Sequence, residues 1–192
     1  MGVVRAEWRL FREHVRADHQ ALSTSDRKYA SAAERPANIV SAGIQRIGFQ
    51  MMIAYRVMRL CRGIGFGIGA RLTSRLIRHI YGADIHWDAE MAPGVVIVHG
   101  LGLVISSAAR VDSGCILFHH VTLGINIDAV TRETGAPCLE RNVHVGPGAV
   151  LLGPIVVGIG TKVTANVLLT CSTPPNSRVE GVAPTIRLRG ES

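Results

Sequence analysis

Two residues able to carry out proton chemistry stand in one short stretch of the sequence, DIHWDAEMAPGVVIVHGLG, which runs from Asp84 to Gly102. His99 lies fifteen positions after Asp84, in a stretch that otherwise reads as a half-buried strand. An imidazole accepts protons near neutral pH, and a carboxylate can orient it. The alternative is a solvated turn histidine and an aspartate that caps the start of a strand. The first interpretation requires a backbone that brings the two residues together.

Other histidines raise the question of a metal site. His119 and His120 are neighbours, and neighbouring residues of a strand point to opposite faces, so we expect only one of them to face the cleft or a subunit boundary. A site built from His86, His99, His119 and His144 is conceivable, but its spacing fits no compact zinc motif. We therefore expect no metal.

A backbone of the required kind is indicated by an aliphatic residue at every sixth position. In the second half these residues are Leu139, Val145, Leu151, Val157, Val163 and Leu169. In the first half they are Ile85, Met91 and Ile97, then Ile105, Val111, Leu117 and Leu123. An α-helix has about 3.6 residues per turn and cannot explain this period. It is typical of a β-helix, a triangular prism in which three hexapeptides complete a coil and distant residues stack on neighbouring coils.

The chain divides into two units in this interpretation. Residues 1–82 form an N-terminal helical unit, with helices over about 5–22 and 38–61 and a third that ends near Tyr81. Residues 83–192 form the β-helix domain and a C-terminal tail. The segment 124–137 does not continue the repeat, so we expect an extruded loop there, and such loops usually carry function in repeat folds.

Composition excludes several classes of protein. With 47% hydrophobic and 18% charged residues, the chain has enough apolar sequence for a real core. The net charge of +7 comes from scattered arginines without a basic tract, so we expect no nucleic acid partner. Arginines interrupt the apolar region 38–72, which makes it a poor membrane span and a membrane contact unlikely. Four cysteines without a CxxC pair indicate reduced thiols, mostly core fillers, in a cytoplasmic protein.

The chain resembles the serine O-acetyltransferases and their relatives in polysaccharide biosynthesis, which are hexapeptide-repeat acyltransferases. The motifs that carry the resemblance are DIHWDAEMAPG, VHGLGLVI, VTLG, GAPCLERNVHVGPGAVLLG and VEGVAPTIRLRG, over about residues 84 to 190. The resemblance implies a mainly β fold, a left-handed parallel β-helix with an N-terminal α-helical unit. It also implies that His99 is the general base, that Asp84 orients it, and that the protein is a homotrimer or a dimer of trimers.

The resemblance further implies acetyl-CoA as co-substrate, bound in the groove between adjacent β-helices. The residues expected along this groove are Gly124, Gly146, Ala149 and Lys162. Glycine permits close approach of the pantetheine arm, and Lys162, Arg187 or Arg189 would meet the CoA phosphates.

Departures from the family concern the acceptor, a small molecule with a hydroxyl group. The serine enzymes carry Asp before the catalytic His and Arg-His before the proline that ends the loop, whereas this chain has Val98 and Gly135-Ala136. Candidate substrate-binding residues are His119 and, as substitutes on the loop, Arg132 and Glu133. Serine is the family's acceptor, and a sugar, glycan or specialised-metabolite hydroxyl is the alternative. A non-catalytic hexapeptide scaffold and a carbonic-anhydrase-like metal enzyme are the alternatives from other classes.

Overall fold

The computed structural model describes residues 2–29, 38–128 and 131–182. Its helices are α1 Gly2–Tyr29, α2 Ile39–Gln45, α3 Ile47–Gly63 and α4 Gly67–Tyr81. The first helix is longer than predicted, and the second predicted helix is divided at Arg46, whose backbone is extended with φ −110°. Asn38 begins α2 because its side chain accepts hydrogen bonds from the N–H groups of Val40 and Ser41. Gly82 ends α4 in the left-handed conformation, with φ 59°.

Short strands follow the helices. The first eight are β1 Asp84–Ile85, β2 Glu90–Met91, β3 Val96–Ile97, β4 Val104–Ile105, β5 Arg110–Val111, β6 Ile116–Leu117, β7 Thr122–Gly124 and β8 Asn126–Ile127. The next eight are β9 Thr134–Gly135, β10 Cys138–Leu139, β11 His144–Val145, β12 Val150–Leu152, β13 Val156–Val157, β14 Lys162–Val163, β15 Leu168–Leu169 and β16 Arg178–Val179.

The strands form three parallel sheets that the chain visits in turn. Sheet A contains β1, β4, β7, β12 and β15, sheet B contains β2, β5, β10 and β13, and sheet C contains β3, β6, β11, β14 and β16. Successive strands of one sheet therefore belong to successive turns of a three-sided coil, with corners that we name A–B, B–C and C–A. The predicted combination of parallel sheets with an N-terminal helical region is confirmed.

The interior of the coil is filled by the aliphatic residues of the six-residue repeat, all of which are buried. Leu139 pairs with Val157, so that one regular coil contains 18 residues, or three hexapeptides. The first coil is longer, because Ile85 pairs with Ile105, 20 positions further on. The two additional residues lie between Ile97 and Ile105, in the turn that contains His99.

The segment 124–137 leaves the coil as a hairpin at the A–B corner. Strands β8 and β9 pair antiparallel, with Asn126 opposite Gly135 and Ile127 opposite Thr134. Residues 129 and 130 lie outside the described residues. The coil resumes at β10, which pairs with β5 of the preceding turn.

A buried ion pair fixes the helical unit to the coil. The Arg56 guanidinium donates to both carboxylate oxygens of Asp18, at 2.8 and 3.0 Å, and both side chains are almost fully buried. Arg56 also donates to the backbone carbonyls of Met91 and Ala92, each at 2.7 Å. The Gly94 N–H donates to Asp18 at 2.8 Å. The pair thus joins α1, α3 and the turn that follows β2.

The four cysteines lie in the described part of the chain, and none forms a disulfide bond there. Cys115 is buried in the core of the coil, where burial raises the pKa of its thiol to about 12. This thiol is therefore protonated at neutral pH and acts as a small apolar group. Cys61 and Cys138 are partly buried, whereas Cys171 is exposed and fills no core position.

Candidate active site

His99 lies in the turn between β3 and β4, at the C–A corner. Its φ of 65° is uncommon for a residue with a side chain. Gly100 and Gly102 also have positive φ, and the sulfur of Met51 occupies the space that a side chain at Gly100 would need. The backbone of this turn is therefore held against α3, while the imidazole of His99 is exposed.

Asp84 lies at the same corner, one turn of the coil earlier. Its N–H donates to the carbonyl of Leu103 at 2.8 Å, next to the turn of His99. Its carboxylate, however, accepts a hydrogen bond from Arg78 of α4 at 2.7 Å. Asp84 and His99 share no hydrogen bond in the described part of the chain, so the orienting role of Asp84 stays a prediction. Arg78 was missed by the sequence analysis, because no motif connects it to either residue.

His119 and His120 belong to the C–A corner of the next turn of the coil. The ring centroids of His99 and His119 are 5.7 Å apart, and those of His119 and His120 are 5.6 Å apart. The assumption that His119 and His120 belong to a strand was wrong, because β6 ends at Leu117 and His120 lies in a turn with φ 55°. The side chain of His120 packs over Gly102, and Nδ1 of His119 is buried without a hydrogen-bond partner among the described residues. Three imidazoles thus line this corner.

The two loop residues expected to bind the acceptor lie elsewhere in the same chain. Arg132 and Glu133 are exposed residues of the hairpin, which leaves the coil from the A–B corner. The hairpin is closed by hydrogen bonds between the backbones of Asp128 and Glu133 and of Arg132 and Asp128. Because His99 lies at a different corner of the prism, one chain alone does not bring these side chains to it.

The residues that differ from those of the serine enzymes, Val98 and Gly135-Ala136, each lie against nearby parts of the structure. Val98 is partly buried and packs against the cluster of Leu22, Phe49 and Val96 between the helices and the coil. A side chain at Gly135 would approach the Cβ of Pro154 to 2.7 Å. A cavity of about 340 Å³ at the A–B corner is lined in part by Gly135 and Ala136.

The candidate cofactor residues occupy different parts of the coil. Gly146 and Ala149 lie at the C–A corner, Lys162 begins β14 in sheet C, and Gly124 ends β7 at the A–B side of sheet A. Ala149 is fully buried, and a side chain at Gly146 would collide with the backbone of the next turn. These two residues have packing roles, whereas the exposed Lys162 is free to meet an anion. Arg187 and Arg189 lie outside the described residues.

Of the four histidines considered for a metal site, His99 and His119 are neighbours at the C–A corner, whereas His86 and His144 make other ring contacts. His86 stacks on Trp87 at the A–B corner, with centroids 4.3 Å apart, and His144 stacks on Phe118 at 5.2 Å. Within the residues that the structure describes, no group of three or more His, Cys, Asp or Glu side chains is arranged to hold a metal ion.

The three parallel sheets place this chain among proteins built as a three-sided coil of short strands. Comparisons with known proteins then show its family. The serine acetyltransferase of Helicobacter pylori is 33% identical over 134 residues, which are 70% of this chain and 77% of that protein. The serine acetyltransferase of Buchnera aphidicola is 34% identical over 140 residues, 72% of this chain and 53% of that protein. The chain belongs to the serine acetyltransferase family. No family model matches it.

A solved structure shares the fold. The serine acetyltransferase of Brucella abortus, in complex with coenzyme A, superimposes with a TM-score of 0.76 and 27% sequence identity. The match covers 93% of this chain and 66% of that one. The chain spans only slightly more than half the length of the first curated relatives that it matches, 53% to 57%.

Proposed function

We propose that the protein is an acetyl-CoA-dependent O-acetyltransferase. The observation that carries the proposal is the placement of Asp84 and His99 at one corner of the coil in a chain of the serine acetyltransferase family. Coenzyme A in the Brucella abortus relative supports acetyl-CoA as the acyl donor. A non-catalytic scaffold would need neither residue.

The chemistry proposed for His99 is general base catalysis with direct acetyl transfer. The imidazole takes the proton of the acceptor hydroxyl as its oxygen attacks the thioester carbonyl carbon. The C–S bond then breaks, and the leaving thiolate of coenzyme A takes the proton from the imidazolium. Backbone N–H groups beside the groove stabilise the oxyanion of the tetrahedral intermediate. The carboxylate of Asp84 stabilises the imidazolium once it turns from Arg78 to His99.

The proposed assembly is a trimer, or a dimer of trimers, of left-handed coils. If the hairpin residues Arg132 and Glu133 contact the acceptor, a neighbouring copy must bring them to His99, because they lie at the A–B corner and His99 lies at the C–A corner. Apolar side chains exposed on the outer face of sheet A, at Val104 and Leu168, also favour contact with another copy. The CoA groove lies between adjacent coils in this arrangement.

The acceptor in the proposed reaction carries a hydroxyl group, and serine is the acceptor of the family. A second class of acceptor, the neutral hydroxyl of a sugar or glycan, is favoured by the residues at the positions where this chain differs from the serine enzymes. A bound amino acid needs a carboxylate near its ammonium group and a cation near its carboxylate, since unpaired burial of either charge costs several kcal/mol. Val98, Gly135 and Ala136 supply neither.

Unless Arg132 and Glu133 of a neighbouring copy supply the missing charges, we expect L-serine to be a weak acceptor and a neutral polyol or sugar to be preferred by about tenfold or more in kcat/KM, a factor that corresponds to about 1.4 kcal/mol. The measurement is thiol release from acetyl-CoA with a panel of hydroxyl acceptors. Arg132→Ala and Glu133→Ala serve as controls, because they remove the two charges available on the hairpin. Efficient acetylation of serine that neither change affects would contradict the account of the acceptor, and absence of acetyl transfer to any acceptor would contradict the function.

Asp84→Asn is expected to lower kcat about 10- to 100-fold, less than removal of the base itself, because it weakens the orientation and charge stabilisation of His99. Asp112→Asn is the matched control, since Asp112 is an exposed aspartate at the B–C corner. Both variants are assayed by thiol release with the best acceptor. Unchanged turnover in Asp84→Asn would remove Asp84 from the mechanism.

A further inference from the structure

Helix α4 presents two different faces. One face packs against the protein and contains the buried residues Ala70, Ser74 and Ile77. The other face contains four large apolar side chains at a spacing of four residues, each more than half exposed. These residues, which we call the α4 stripe, are Ile68, Leu72, Leu76 and Ile80. None of the described residues covers this stripe, and exposed apolar patches of this kind are typical of binding surfaces.

The stripe continues beyond both ends of the helix. Phe66, the residue before α4, is more than half exposed, and so is Leu101 at the other end. Leu101 approaches the C-terminal Gly82 closely, since its Cδ1 would be 3.0 Å from a Cβ at that glycine. The apolar surface therefore runs along the whole of α4 and reaches the turn that contains His99.

The charged residues of α4 itself are all basic. Residues 38–83 contain seven arginines and no aspartate or glutamate. Arg71 and Arg75 follow Ile68 and Leu72 by three positions, so both lie along one edge of the stripe. They are exposed and have no acidic partner among the described residues, whereas Arg78 is paired with Asp84.

This combination favours an anionic, apolar partner. An exposed apolar stripe with arginines at its edge is the surface by which interfacial helices bind lipid, where the apolar side chains enter the boundary of the acyl chains and the arginines meet the headgroups. In a contact between two such stripes, by contrast, the arginines of one copy would face those of the other. None of the described helices is long and apolar enough to cross a membrane.

We propose that the α4 stripe, with Arg71 and Arg75, docks the protein on the surface of a membrane that contains anionic lipids. The arginines that interrupt the apolar region 38–72 make it a poor membrane span and argued against a membrane contact. Most of those arginines belong to α3 or to the residue before it. Arg71 and Arg75, which belong to α4, lie beside the stripe and not within it. Docking places the turn that contains both His99 and Leu101 beside the membrane. The proposal does not rest on acetyl transfer.

The test is sedimentation of the full chain with vesicles of phosphatidylcholine alone or mixed in equal parts with phosphatidylglycerol. We expect binding to the mixed vesicles that weakens as salt is added. Leu76→Glu should reduce the bound fraction about tenfold or more, because a charge enters the apolar boundary. Arg75→Glu should reduce it by more than about fivefold, since loss of one basic residue near an anionic surface contributes about that factor and the new carboxylate is repelled as well.

Matched controls lie on the coil, away from α4. Ile159→Glu and Arg141→Glu introduce the same changes at exposed positions of the B–C corner and should leave vesicle binding unchanged. Equal binding to both vesicle types, or equal losses in all four variants, would overturn the proposal. So would a Leu76→Glu variant that binds vesicles normally but has a smaller mass by light scattering, because the stripe would then be an interface between copies.

Discussion

Replacement of His99 by alanine is expected to lower kcat/KM for acetyl transfer by about 10²- to 10⁴-fold, the usual contribution of a general base. The imidazole is exposed at the C–A corner and makes no hydrogen bond within the described part of the chain, so its removal should leave the fold intact. Thiol release from acetyl-CoA measures the effect, and circular dichroism against temperature tests the fold. Near-normal transfer by the variant would exclude His99 as the base.

A second variant separates loss of the base from strain in the turn. His99 has φ 65°, and asparagine tolerates that conformation better than alanine, as at Asn166 in a C–A corner further along the coil and at Asn142 in a B–C corner. His99→Asn should therefore be as inactive as His99→Ala but equal to the wild type in stability. His120→Asn makes the same change at a histidine with φ 55° in the next turn of the coil, and we expect a loss of less than about tenfold there, because that imidazole packs on Gly102.

The sequence predicted the coil because its inward positions follow a period that no helix has. It also located the hairpin, where the repeat lengthens between Leu123 and Leu139. The spacing between Ile97 and Ile105 is longer as well, where the His99 turn is inserted, but no irregular turn was predicted there. Interruptions of an otherwise regular repeat are positions where the backbone is free to serve a site, so they were informative without a structure.

Other features depended on packing that no local pattern records. Arg78 meets Asp84 only because α4 ends at Gly82 and the chain turns back into β1. The pair His119 and His120 looked like strand residues, but the coil places them in a turn. The exposure of the α4 stripe could not be predicted either, because the sequence does not show which face of α4 packs against the rest of the protein. In each case the deciding contact joins elements whose relative orientation the sequence does not specify.

The ion pair of Asp18 and Arg56 joins residues 38 positions apart and was likewise not predicted. Its sequence signal is weak, since arginines in amphipathic helices are usually solvated. In the structure both groups are almost completely removed from water, and the remaining donors of Arg56 go to carbonyls of the coil. Such a pair is expensive to break, because removal of one partner leaves an uncompensated buried charge.

Asp18→Ala is therefore expected to reduce the free energy of unfolding by about 3 to 5 kcal/mol, measured by urea denaturation. Glu90→Ala is the matched control. It breaks the ion pair of Glu90 and Arg110, two side chains that are mostly exposed, and should reduce the free energy of unfolding by less than about 1 kcal/mol. The double variant Asp18→Leu/Arg56→Met should recover only part of the loss. It removes both buried charges, but it leaves the Gly94 N–H and the carbonyls of Met91 and Ala92 without their partners. If Asp18→Ala costs no more than Glu90→Ala, the helical unit is held to the coil by apolar contacts alone and the buried pair contributes little to the fold.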